Sequence, residues 1–115
     1  MELQGWYERR SFAGLDLRQA ILDGGQFKMC DFRGANLRGA SLRHAHFAFC
    51  DMRGTDLRDA DLTDAEFDRV LTHDRDGGFT DLTGALLTGA IVRRTKVDGA
   101  AGWPFEGEQQ PRDRT

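Results

Sequence analysis

The sequence lacks any long hydrophobic run. No apolar stretch among its 115 residues approaches the ~20 residues that a membrane-spanning helix needs. No signal peptide opens it, so we expect a cytoplasmic protein without membrane contact. Net charge is also small, because 16 basic residues nearly balance 19 acidic ones and leave −3. This balance argues against a general nucleic-acid binder and against a strongly acidic protein, so we expect no direct nucleic acid binding.

Residues arranged for catalysis or metal binding are scarce. The histidines are His44, His46 and His73, and no Ser/His/Asp or metal-ligand spacing accompanies them. No glycine loop suited to phosphate occurs either, since Gly34 and Gly39 recur with a repeat, at corners that need a permissive backbone. We therefore predict a protein that is not an enzyme, with no catalytic residues, no cofactor and no metal.

What the chain has in abundance is a period of five residues. Every fifth residue is large and apolar, twelve times in succession: Phe12, Leu17, Leu22, Phe27, Phe32, Leu37, Leu42, Phe47, Met52, Leu57, Leu62 and Phe67. A small residue stands two places before most of them. Five fits neither the 3.6-residue period of a helix nor the 2.0 of a strand. Strict repetition at a short period is typical of a solenoid.

Four such fives would make one coil of twenty residues, with coils about 4.8 Å apart. The large residues then form inward columns, namely Phe12/Phe32/Met52, Leu17/Leu37/Leu57, Leu22/Leu42/Leu62/Leu82 and Phe27/Phe47/Phe67/Leu87. Aromatic residues concentrate in two columns and leucines in the other two, as a twenty-residue coil requires. Cys30 and Cys50 take the small inward position one coil apart, and we predict two buried free thiols in a reducing compartment.

The pentads Ala35-Asn36-Leu37-Arg38-Gly39 and Ala60-Asp61-Leu62-Thr63-Asp64 resemble, at every position, the motif of pentapeptide-repeat proteins. The resemblance covers residues 11–99 and implies an all-β fold, a right-handed quadrilateral β-helix of about five coils. It is less specific about function, because the family is defined by its scaffold. Similar proteins dimerise through their C-terminal coils, and the quinolone-resistance members use loops that interrupt the coil to protect DNA gyrase.

The ends of the chain lie outside the repeat. We predict that residues 1–10 form an N-terminal cap in which Trp6 and Tyr7 fold over the open end of the first coil. The alternative is that these two aromatic residues bind something. Residues 100–115 are predicted to be a C-terminal cap segment followed by a disordered tail.

The outward positions carry alternating charges, and the Asp or Asn before each large residue can hydrogen-bond its own turn. One stretch departs from this balance, because residues 59–68 contain five acidic residues and no basic one. They are Asp59, Asp61, Asp64, Glu66 and Asp68. Such an acidic band could meet a basic, DNA-binding groove on another protein, or it could be a soluble polar rim.

Met29 and Phe49 break the polar pattern of the outward positions. They are twenty residues apart and should stack on adjacent coils, as two exposed apolar groups in line. Such a pair indicates either a docking patch or a bed for the C-terminal tail.

The repeat fails between residues 70 and 80 and resumes at Leu82. The charged, turn-rich run His73, Asp74, Arg75, Asp76 predicts a projecting loop, and loops on rigid scaffolds often carry function. Beyond it, Leu86 and Ile91 replace the usual outward Asp and need cover. Trp103 and Phe105 of the tail could supply it, or a second subunit could, and we expect a homodimer through the C-terminal coil.

Two functions remain open. The first is a non-catalytic scaffold that binds a protein partner through the loop, the apolar pair or the C-terminal end. The second is a DNA-mimicking protein that binds a type II topoisomerase and protects DNA gyrase against inhibitors. The acidic band, the loop and the expected dimer favour the second, whereas the arginine-rich faces and the small net charge oppose it.

Overall fold

The computed structural model describes residues 1–67 and 80–97. Its strands are short, namely β1 (Trp6–Glu8), β2 (Gln26–Lys28) and β3 (His46–Ala48), and they form one parallel sheet in the order β1-β2-β3. The described part of the chain contains no helix, and therefore none long and apolar enough to cross a membrane.

Parallel pairing at an interval of twenty residues organises the fold. Tyr7 pairs with Phe27, and Phe27 with Phe47. Isolated bridges repeat this interval at three further places, so residues 1–67 and 80–97 contain four parallel ladders. These ladders include the pairs Ser11–Asp31, Asp16–Asn36 and Ile21–Ser41. Each rung is one level of a β-solenoid, and the expected all-β architecture is confirmed.

The core consists of the predicted inward columns. Phe47 stacks between Phe27 and Phe67, with ring centroids 4.9 Å apart on each side. Phe12 and Phe32 stack at 4.8 Å in the neighbouring aromatic column. The two columns meet edge to face, and the rings of Phe32 and Phe47 lie 5.5 Å apart at 76°. The prediction that Phe27, Phe47 and Phe67 share one inward column is therefore confirmed.

The small residues are required by the narrow interior. Ala45 and Ala60 are fully buried beside the large residues, as the repeat predicted. At Gly25 even a methyl group would not fit, because its Cβ would lie 2.5 Å from the Leu3 carbonyl oxygen and 2.8 Å from the Phe27 ring. Each level thus holds one large and one small inward residue per ladder.

The placement of Leu82 and Leu87 corrects the sequence prediction. The backbone N–H of Met52 donates to Asp81 (2.8 Å) and that of Leu57 donates to Leu86 (2.8 Å). Leu82 therefore continues the Phe12/Phe32/Met52 column and Leu87 the Leu17/Leu37/Leu57 column. The pairing interval across this turn is thirty residues instead of twenty, as in Asp51–Asp81. The turn contains ten additional residues, and these fall within 68–79, outside the described residues, as does most of the predicted loop.

Of the two aromatic residues predicted to cover the N-terminal end, only one does so. Tyr7 stacks on Phe27 at 5.1 Å and meets Phe12 edge to face, so it extends the aromatic column by one level. Trp6, by contrast, is 69% exposed. It lies on β1, where alternate side chains point to opposite faces, so Tyr7 points inward and Trp6 outward. The prediction that Trp6 also folds over the end is wrong.

Candidate functional site

One corner of the solenoid combines apolar side chains with unusual backbone geometry. Met29 and Phe49 occupy it on successive levels, directly after β2 and β3. Both adopt left-handed backbone, with φ of 55° and 56°. This conformation costs an L-residue roughly 1–2 kcal/mol. The two side chains are half-buried, so the sequence prediction that they are exposed is corrected, although they do form a strip in line.

The outward faces carry ordered pairs of aspartate and arginine. The Arg33 guanidinium donates to both carboxylate oxygens of Asp31, at 3.0 and 2.8 Å. The backbone N–H of Arg33 donates to the same carboxylate at 3.0 Å. The same arrangement recurs three times, in Asp16–Arg18, Asp51–Arg53 and Asp56–Arg58. The predicted hydrogen bond from the turn to its own Asp is therefore confirmed.

These pairs lower the pKa of the aspartates. Hydrogen bonds from Arg18 hold the pKa of Asp16 at about 2. Hydrogen bonds from the paired arginine likewise lower the pKa of Asp51 and Asp56, against the opposing effect of partial burial. Ion pairs on an exposed surface add little to the free energy of unfolding, so these pairs order the side chains of the outward faces more than they stabilise the fold.

These pKa shifts predict that the protein is less stable in acid. A carboxyl whose folded pKa lies below its unfolded value of 3.8 stabilises the fold above that value. The stabilisation is lost as the pH falls from about 4 towards 2. We expect the urea midpoint at pH 3 to lie below that at pH 7. The matched variant R53Q/R58Q should show a shallower fall between the two pH values, and equal midpoints for the unmodified chain would contradict the prediction.

The acidic band is crossed by arginines from neighbouring levels. Asp59 lies 3.4 Å from Arg38 Nε, and Asp61 lies 3.6 Å from Arg43 Nε. The Arg94 guanidinium donates to both oxygens of Asp64, at 2.8 and 3.0 Å, and this hydrogen bonding lowers the pKa of Asp64. Glu66 is half-buried on the ladder of His46, and Asp68 lies outside the described residues. The acids at 59, 61 and 64 are thus paired with bases and form no continuous negative stripe.

Two apolar residues stand at outward positions of the last described level. Leu86 is 49% exposed and Ile91 is half-buried. Trp103, Phe105 and the predicted loop residues His73, Asp74, Arg75 and Asp76 lie outside the described residues. Ile21 is also exposed, at 39%, and was not among the residues predicted to form an interaction surface. The signal was available, because Ile21 replaces the usual polar residue of the repeat just as Leu86 does.

The two thiols lie inside the solenoid. Cys30 and Cys50 are buried and free, as predicted. The Cys50 thiol donates to the Phe27 carbonyl oxygen at 3.3 Å. A hydrogen bond with Cys50 lowers the pKa of Cys30 to about 7, whereas burial raises the pKa of Cys50. In residues 1–67 and 80–97 no group of three or more His, Cys, Asp or Glu side chains is placed to hold a metal ion.

Comparison with known proteins identifies a sequence family. The model of the pentapeptide repeat region matches residues 6–76. No curated protein sequence matches the chain.

Similar solved structures include three pentapeptide repeat or resistance proteins. HetL, involved in heterocyst differentiation regulation in the cyanobacterium Nostoc sp., is 20% identical, with a TM-score of 0.46 over 87% of this chain and 54% of HetL. A protein from the Arabidopsis thaliana thylakoid lumen is 23% identical, with a TM-score of 0.36 over 90% of this chain and 71% of that one. The plasmid-mediated fluoroquinolone resistance protein QnrB1 is 19% identical, with a TM-score of 0.39 over 78% and 58% of the two chains. The chain thus spans about half the length of HetL.

Proposed function

Because this chain belongs to the pentapeptide repeat family, we propose that it is a non-catalytic scaffold that binds a protein partner. The regular faces of the solenoid supply a rigid support, since their charges are paired and their side chains are held by the turn. A binding surface is then expected where the repeat is interrupted by apolar residues.

The strip of Met29 and Phe49 carries the proposal. In residues 1–67 and 80–97 the left-handed position of the other turns is held by glycine, as at Gly34, or by a polar residue, as at Gln19, and Met29 and Phe49 are the large apolar residues found there. Large apolar residues in that conformation store strain, and strained residues are concentrated at functional sites. The strip is also half-exposed and directly follows strands β2 and β3 of the parallel sheet. We propose it as the docking strip for the partner.

Affinity capture from an extract of the native host tests this proposal. The chain and its variant F49E would be immobilised at equal density, with R53E as a matched surface variant on a charged face. We expect a partner retained by the chain and by R53E but lost from F49E. Identical proteins on all three supports would contradict the docking strip.

The DNA-mimicking function is the second candidate and stays a prediction. The acidic band at 59–68 suggested it, but Asp59, Asp61 and Asp64 are paired with arginines at 2.8–3.6 Å. A groove that binds DNA phosphates would have to displace those arginines. We therefore favour the scaffold over the mimic.

A gyrase supercoiling assay separates the two functions. We expect the chain to leave supercoiling unchanged, both with and without a quinolone, because its acidic band is neutralised. Protection of the enzyme that disappears in D59N/D61N/D64N would contradict the scaffold proposal and support mimicry of DNA.

Three finer predictions belong to this proposal. The four ladders support a quadrilateral β-helix, for which we propose a right hand and about five coils. The homodimer through the C-terminal coil stays a prediction that exposed Leu86 suggests, and the N-terminal dimer proposed below is the competing arrangement. Two free thiols are compatible with the cytoplasmic location that we propose.

A further inference from the structure

Among the described residues, most of the exposed large apolar side chains lie at the N-terminal end of the solenoid. In residues 1–67 and 80–97 there are five exposed large apolar side chains, and four of them lie within the first 21 residues. They are Met1 (75% exposed), Trp6 (69%), Leu15 (43%) and Ile21 (39%). We call this set the N-terminal rim. These side chains belong to different ladders and are grouped by their place at one end of the solenoid, where a partner could bury them together.

The backbone at the rim offers a strand for pairing. β1 is an edge strand of its sheet. The carbonyl of Gly5 and the N–H of Arg9 are bonded to β2, both at 2.9 Å. Because bonding alternates along a strand, the backbone groups of Trp6 and Glu8 point to the opposite edge. An edge strand beside apolar side chains favours pairing with another strand.

The charges around the rim indicate what kind of partner fits. Residues 1–21 contain three acids, Glu2, Glu8 and Asp16, and three bases, Arg9, Arg10 and Arg18. A surface with equal numbers of both signs does not select a polyanion or a strongly basic chain. It can match a copy of itself, provided that the symmetry places each acid beside a base.

We propose that a second copy of this chain packs head to head on the N-terminal rim, with antiparallel pairing of the two β1 strands. A two-fold axis through Tyr7 would place Trp6 opposite Glu8 of the second copy. Trp6 and Glu8 would then exchange hydrogen bonds through the backbone groups that point away from β2. The result is one continuous sheet of six strands across the dimer.

The same axis brings apolar and charged groups together. Tyr7 already stacks on Phe27 at 5.1 Å, so the two Tyr7 rings would extend the aromatic column through the interface. The axis also passes through the opposite ladder, at Leu17, and there Asp16 of one copy faces Arg18 of the other. Asp16 and Arg18 are each 60% exposed and border a shallow pocket of about 480 Å³, so both side chains are accessible.

Light scattering on the purified chain tests the proposal. At micromolar concentration we expect twice the chain mass of 12.9 kDa. The variant W6E/L15E should have the single-chain mass, with the same circular dichroism spectrum as the unmodified chain. The matched variant L86E changes the exposed apolar residue outside the rim and should keep the doubled mass.

A charge exchange tests the symmetry itself. In D16R, the new arginine at position 16 of one copy faces Arg18 of the other copy. This repulsion should weaken the dimer on the order of tenfold in Kd. The double variant D16R/R18D restores one acid and one base and should recover the original Kd.

Two results would overturn the proposal. One is a single-chain mass for the unmodified protein. The other is a doubled mass that falls only in L86E, which would support the C-terminal homodimer instead. Neither result affects the proposal that Met29 and Phe49 form the docking strip, because the affinity capture with F49E does not depend on the mass of the chain in solution.

Discussion

Replacing Leu42 by aspartate is expected to abolish folding. Leu42 is fully buried, and its level lies between those of Leu22 and Leu62 in one inward column. The change removes a buried side chain worth about 1.5–3 kcal/mol and introduces a carboxyl that finds no partner there. The combined cost, on the order of 5 kcal/mol, is comparable to the whole stability of a small domain. Circular dichroism should show loss of the β-sheet spectrum and of a cooperative thermal transition.

The control for this change is the same substitution at an exposed site. Leu86 is 49% exposed and pairs with Asp56, so aspartate at 86 only restores the polar residue usual at that position. We expect L86D to change the free energy of unfolding by less than about 1 kcal/mol. A folded L42D variant, or an L86D variant as unstable as L42D, would refute the assignment of inward and outward positions.

Truncating Phe47 to alanine is expected to have the second largest effect. Its ring is fully buried, stacks with two phenylalanines at 4.9 Å and meets a third edge to face. A cavity at this point cannot collapse easily, because inter-level hydrogen bonds such as Phe47 N–H to Glu66 (2.8 Å) hold the levels in place. We expect a loss of about 3–5 kcal/mol in the free energy of unfolding, measured by urea titration.

Phe49 provides the matched control for Phe47. It is the same residue type two positions later, but it is half-buried at the corner. F49A should therefore cost on the order of 1 kcal/mol, because less apolar area is removed from contact. Similar losses for F47A and F49A would show that the aromatic column does not dominate the stability of the core.

Both predictions rest on positions that the sequence could assign. Because of the period of five, each inward residue lies between equivalent inward residues one turn before and one turn after it. The position of Leu42 or Phe47 in the repeat therefore already predicts that its side chain is buried and which residues it contacts. The concentration of phenylalanine in two columns follows from the same twenty-residue turn. Within the uninterrupted repeat, the local sequence pattern and the tertiary structure agree on which side chains are buried.

The surfaces could be predicted less well. The stretch 59–68 is acidic when it is read along the chain, yet Asp59 meets Arg38 and Asp64 meets Arg94, which are 21 and 30 residues away. Exposure was also misjudged at Met29 and Phe49, because it depends on how neighbouring levels cover each corner. The local charge of a surface and the exposed fraction of a side chain both depend on residues from several levels, which are far apart in the sequence.

The solenoid, its inward columns from Phe12 to Phe67 and the free thiols can be predicted from the residues alone, because each depends only on a period that repeats without interruption. Where the chain resumes after Phe67 follows instead from contacts between levels. Fifteen residues separate Phe67 from Leu82, and any multiple of five preserves the pattern of inward and outward positions. The pattern therefore fits equally well whether the chain passes three faces of the coil between Phe67 and Leu82 or only one. Hydrogen bonds between levels distinguish the two, since Asp81 pairs with Asp51 and thus lies one step beyond Glu66.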